Sequence, residues 1–158
     1  MAGTEHSGWE HSFPELFEGA TWAVTLKDDT ALEDFEKLKS VIKDFGANTV
    51  MTTPQEHDKA VALISHAPML VAQALCKNIE SNELAQKLAS SGFRDTTRLA
   101  LSNTEMANDM ILMNGENIKD VVTLLDKNID AILESDYKKQ AEHIKEFRQN
   151  LYAAKVRL

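Results

Sequence analysis

The chain has 158 residues, enough for one ordinary domain, and a formal net charge of −8, the wrong sign for a general nucleic-acid binder, whose phosphate contacts need a clustered cationic surface. Hydrophobic residues make up 43% with only three prolines and six glycines, which excludes a disordered or low-complexity chain. The single cysteine, Cys76, excludes an internal disulfide and a thiolate metal site and points to a reducing, cytoplasmic compartment.

The first residues, MAGTEHSGWEHSF, have neither the basic start nor the apolar core of a secretory signal. Glu5, His6, Glu10 and His11 fall in a segment with two glycines and no helical period to fix their spacing, so no metal site is expected there.

From about Ala20 to Thr53 the pattern predicts strand, helix, strand. Thr21–Leu26 is rich in β-formers. Thr30-Ala31-Leu32-Glu33 reads as a capping box, and Leu32, Phe35, Leu38, Ile42 and Phe45 then mark one helical face. Gly46 is placed to stop that helix, and 48–52 forms the second strand. One crossover helix makes the two strands parallel, and a two-stranded parallel sheet leaves unpaired backbone on both edges. The unit therefore reads as the rim of a larger sheet. No Gly-x-Gly-x-x-Gly and no P-loop occurs, so the phosphate cradle of a dinucleotide fold is not in these residues.

From Thr53 onward the chain predicts helices. Thr53-Pro54-Gln55-Glu56 combines a capping box with proline at the first helical position. The segment 60–76 is apolar on most sides yet holds Ser65, His66, Pro68 and Gln73. It falls short of the ~20 apolar residues of a membrane span and reads as a buried helix that must be covered all round. Pro68 leaves the Ile64 carbonyl without its donor, so a bend is expected beside Ser65 and His66. Two readings of that polar pair stand: a core histidine satisfied by a backbone carbonyl, or a pair lining a substrate cavity.

A short helix over 83–90 stops at Gly92, and another begins near Phe93. On that helix Asp95 and Arg98 are i,i+3 neighbours, and Arg94 and Arg98 are i,i+4 neighbours. Two guanidiniums on one face suit a carboxylate ligand; the alternative is a solvated face with an ordinary ion pair. Ser102-Asn103-Thr104-Glu105 is a third capping box, before a helix with Met106, Met110 and Met113 that Gly115 ends. Ile118, Val121, Val122, Leu125, Ile129 and Ile132 mark the next helix, and Tyr137, Ala141, Ile144, Phe147 and Leu151 the last.

Taken together, several segments resemble the prephenate/arogenate dehydrogenase family. Met1-Ala2-Gly3-Thr4-Glu5 with Ser7-Gly8 is similar to the tail of its His-Pro-Met-Ala-Gly-Thr-Glu-x-Ser-Gly motif. Phe17-Glu18-Gly19 before a strand, Glu56-His57-Asp58 with Ser65-His66-x-Pro68, and Gly92-Phe93-Arg94-Asp95-Thr96-Thr97-Arg98 follow in the family's order. The resemblance implies a mainly α fold: a helical dimerisation domain, similar to the C-terminal domain of 6-phosphogluconate dehydrogenase, over 54–158. Before it, 1–53 would be the β–α–β remnant of a nucleotide-binding domain.

The activity implied is NAD- or NADP-dependent oxidative decarboxylation of prephenate or arogenate on the route to tyrosine, by a cytoplasmic homodimer. Arg98 would hold a substrate carboxylate. Glu5 and Asp95 would form an ionic network with it, and Thr4, Ser65 and His66 would lie at the pocket. The family's catalytic histidine would stand just before residue 1, so no catalytic residue is assigned here. The expectation for the isolated chain is no turnover and no bound cofactor. Met69 replaces a second histidine, and Ala107 a tryptophan, found in many prephenate-preferring members, which leans toward arogenate or mixed preference. Two rivals remain at the level of sequence: a non-catalytic helical interaction module, and one chain of a two-chain enzyme. Nucleic acid and membrane are not expected partners.

Overall fold

A computed structural model of the chain describes residues 8–27 and 30–155. Two 3-10 turns, Trp9–His11 and Pro14–Phe17, lead into β1 (Thr21–Val24). Helix α1 (Leu32–Asp44) crosses to β2 (Asn48–Met51). The strands pair in parallel, with Thr21 opposite Asn48 and Val24 opposite Met51. Both strands are shorter than the β-forming runs that predict them, because pairing ends where the partner strand ends. Helices follow: α2 (Pro54–Val61), α3 (Ala67–Ile79), α4 (Glu83–Leu88), α5 (Ser91–Thr96), α6 (Thr104–Glu134) and α7 (Tyr137–Lys155). Among the described residues the fold is mainly helical with one two-stranded sheet, as the sequence predicts.

The chain divides into two compact units. One comprises Met1–Pro54 with Leu125–Leu158, the other Gln55–Leu124.

In the first unit, α1 buries Phe35 and Ile42, the latter only 1% exposed, while Leu32, Leu38 and Phe45 of the same predicted face remain exposed. Phe17 stacks edge-on against Trp22, with centroids 5.6 Å apart, and lies 6.0 Å from Phe45. Gly46 ends α1 at φ 73°. Its N–H donates to Lys43 O and that of Ala47 to Ile42 O, the paired bonds of a Schellman stop, which satisfy carbonyls the helix end leaves open.

Two of the expected capping boxes are built differently. The Thr30 hydroxyl accepts from the Lys27 N–H at 3.1 Å and closes a turn before the helix, so Ala31 occupies the cap position without a side-chain bond. At α6 the cap is Asn103, whose Oδ1 accepts from the Met106 N–H at 3.0 Å, while the Ser102 hydroxyl donates to Leu99 O. In each case the side chain sits one residue away from where it could reach the first-turn donors.

In the second unit, α2 runs without a break through a π-helical turn, Ala62–His66, into α3. The bend expected at Pro68 takes this form: the Ala67 N–H donates to Ala62 O, five residues back, and Pro68 sits in the first turn of α3, where a missing N–H costs least. The continuous run Pro54–Ile79 has 26 residues and a window of mean hydropathy 1.4, long and apolar enough to cross a membrane by length and composition. That corrects the expectation drawn from 60–76 alone, which omitted the α2 turns that extend the helix. Ala62, Ala67, Met69 and Ala72 are buried, whereas Leu63 and Ile64, the latter 69% exposed, are not covered within this chain.

Candidate functional site

Ser65 and His66 lie in the π-helical turn and are both half-buried. A π turn rotates the side chains after it relative to a regular helix, and here it carries the His66 ring to Asn114 of α6. Asn114 Nδ2 is 3.2 Å from His66 Nδ1 and donates to the Asp58 main-chain carbonyl at 2.8 Å. Asn117 Nδ2 donates to Asn114 Oδ1 at 2.7 Å. The four residues form a part-buried polar network between α2, the π turn and α6, and among the described residues no buried side-chain polar atom lacks a partner. Burial pushes the His66 imidazole below its ordinary 6.5; the Asp58 carboxylate pulls it up and His57 pushes it down. On α2, His57 Nδ1 and Asp58 Oδ1 stand 3.1 Å apart.

Asn114 was not legible as a site residue. Gly115 reads as a helix stop, and two helical stretches of α6 do meet beside it in a kink at Asn114, where φ is −126° and ψ 20°. The kink places this 7%-exposed side chain between α2 and the π turn. An Asn-Gly pair inside a long amphipathic run is the signal that could have marked it.

The arginine segment is also built differently from its expectation. Helix α5 starts at Ser91, ahead of Gly92, and stops at Thr96. The Thr96 and Thr97 hydroxyls donate to Gly92 O at 2.8 Å and Phe93 O at 2.7 Å. Hydroxyls bonded to carbonyls four residues back compete with the helix and turn the chain. Arg98 therefore opens a separate 3-10 turn, Arg98–Leu101, and does not share one helical face with Arg94. Arg94 Nε donates to Asp95 Oδ1 at 3.3 Å. Asp95 and Arg98 are both exposed, and the Arg98 turn packs against α3. Thr4, Glu5 and His6 lie outside the described residues; Glu10 and His11 fall in the first 3-10 turn. Met69 and Ala107, the two positions of substrate-preference interest, are buried.

The family profile described as "Prephenate dehydrogenase, dimerization domain" matches residues 53–151. The chain belongs to the prephenate dehydrogenase dimerization-domain family. The prephenate dehydrogenase of Bacillus subtilis (strain 168) is 34% identical over 148 residues, 91% of this chain and 40% of that protein. Synechocystis arogenate dehydrogenase matches in structure with a TM-score of 0.71 at 30% identity, over 99% of this chain and 58% of that one. The prephenate dehydrogenase of A. aeolicus, solved with hydroxyphenyl propionate and NAD+, matches with a TM-score of 0.77 at 29% identity, over 99% and 56%. The chain thus spans about half the length of these dehydrogenases, and the dimerization-domain match takes in the π turn, the Asn114 network and the Arg98 turn together.

Proposed function

We propose that this chain supplies the substrate-binding and dimerisation part of a cytoplasmic dehydrogenase that oxidatively decarboxylates prephenate or arogenate. The observation that carries the reading is the dimerization-domain match across 53–151, joined to the structural likeness to an enzyme solved with hydroxyphenyl propionate and NAD+. Residues 54–158 act as the helical domain and 1–53 as the edge of a nucleotide-binding sheet. Arg98 binds a substrate carboxylate; its planar guanidinium matches that group with two parallel hydrogen bonds. Asp95 orients it and Ser65 and His66 line the pocket; Thr4 and Glu5, which the resemblance adds to this set, lie outside the described residues.

A second copy of the chain is the protein partner. Large apolar side chains lie open on several helices, among them Ile64, Leu112, Phe147 and Met113, the last 87% exposed. Apolar area on that scale is what an obligate dimer removes from water. The run Pro54–Ile79 is read as interface rather than membrane span, because Asp58 and His66 within it share the Asn114 amide of α6 and a dimerization-domain family covers it. Neither nucleic acid nor membrane enters the reading.

The residues described here do not fit a dinucleotide. β1 runs into Thr25-Leu26-Lys27 without a glycine-rich turn, and among the described residues it pairs with β2 alone. NAD or NADP is assigned to the full-length parent, and no step is derived through it.

The test is substrate kinetics of the full-length parent with Arg98→Ala and Arg98→Lys. A hydrogen bond to a charged group is worth about 1.5–3 kcal/mol, so kcat/KM for prephenate or arogenate should fall about 10- to 150-fold, chiefly through KM, with partial recovery in the lysine variant. An unchanged KM in Arg98→Ala overturns the assignment and favours a non-catalytic interaction module.

A further inference from the structure

We propose that Asn114 is a positioning residue that locks His66 as the Nε2–H tautomer, so that His66 offers the pocket a neutral N–H donor. The orientation of the Asn114 amide is fixed at one end by a group whose role cannot change, and the Asn117 amide follows it at the other. The Asp58 main-chain carbonyl can only accept, so the group 2.8 Å from it must be the NH2 end. On the other side Asn117 Nδ2 donates to Oδ1 at 2.7 Å, which seats the oxygen. With the amide so held, the second Nδ2 hydrogen is directed at His66 Nδ1, 3.2 Å away. Nδ1 must then accept, and a neutral ring that accepts at Nδ1 carries its proton on Nε2. Protonating Nδ1 would set N–H against N–H inside a half-buried network.

The charged and titratable groups near the ring act in opposite senses, Asp58 favouring the imidazolium and His57 opposing it. Burial of the ring adds to the preference for the neutral form. The kink of α6 falls at Asn114 itself, the residue whose amide reaches both Asp58 O and His66 Nδ1. The donor's use, toward an oxygen of the substrate, rests on the pocket assignment above; the tautomer lock does not.

The experiment is 15N NMR of the imidazole nitrogens of His66 in the full chain without ligand, assigned by comparison with His66→Gln. Above its pKa, His66 should show a pyridine-like Nδ1 and a pyrrole-like Nε2, with no tautomer averaging. Asn114→Asp puts a carboxylate oxygen beside Nδ1 and should switch the proton to Nδ1 and raise the His66 pKa. Asn114→Leu, close in size and without a donor, should restore averaging. A pyrrole-like Nδ1 or an averaged signal in the unsubstituted protein overturns the proposal, and that reading is available even if neither Asn114 variant folds. Because no ligand is present, failure here leaves the Arg98 assignment standing, and the reverse holds equally.

Discussion

The amide of Asn114 on α6 donates to the main-chain carbonyl of Asp58 on α2 at 2.8 Å, across 56 residues of sequence. One side chain thereby ties the kink of the long helix to the helix that leads into the π turn. Asn114→Ala removes the donor that this part-buried carbonyl relies on, together with the partners of His66 and Asn117. Leaving a partly desolvated acceptor unpaired costs about 1–3 kcal/mol. Urea denaturation should show a lower midpoint with the slope unchanged.

Stability should depend on pH through His66. Its folded pKa lies below the ordinary 6.5, so between those two values the unfolded chain binds more protons than the folded one. The contribution is fully present above the unfolded value and is lost as pH falls through the folded value. His66→Gln should flatten the decline in unfolding free energy between about pH 7 and pH 5, relative to the parent chain, when denaturation curves are compared at both ends of that window.

Two glycines should respond in opposite directions to alanine. Gly46 sits at φ 73°, where a Cβ meets only ordinary contacts with Glu18 but the backbone itself is strained, so Gly46→Ala should cost about 1–2 kcal/mol. Gly115 has no positive φ and an added Cβ meets nothing within 4 Å. Gly115→Ala should stabilise by about 0.5–1 kcal/mol, because it removes the excess freedom of glycine inside a helix. Thermal melts of the two variants beside the parent chain check both signs.

Much of the fold was legible from local chemistry. The β-forming run at Thr21, the apolar period from Leu32, the stop at Gly46 and the proline start at Pro54 each depend on neighbours within a few residues, and the elements they predict are present. What escaped was decided by contacts far apart in sequence. The stop expected at Gly115 is present as a break in the helical dihedrals at Asn114, but the contacts of the Asn114 amide with Asp58 and His66 span 56 and 48 residues and have no local signal. The Arg94/Arg98 face failed for a local but subtler reason: Thr96 and Thr97 each turn a hydroxyl back onto the helix and end it before Arg98. The polar pair Ser65-His66 stands out in its apolar run, but its partner Asn114 carries no short-range mark beyond the Asn-Gly dipeptide.

Ile42, nearly inaccessible in the first unit, should be the most sensitive apolar position of α1. Ile42→Ala removes buried methyl groups and leaves a cavity, a loss of about 2–5 kcal/mol. Leu32→Ala on the same predicted face should be near neutral in the isolated chain, since Leu32 is exposed. Circular-dichroism melts of both variants separate a covered face from an open one.

The most direct test is a crystal structure of the full-length parent with hydroxyphenyl propionate, read at the ligand's carboxylate. That carboxylate should lie within about 3 Å of the Arg98 guanidinium of one protomer or its partner, with His66 Nε2 turned toward the ligand's pocket. An Arg98 side chain directed into bulk water, with the carboxylate gripped by other groups, would contradict it.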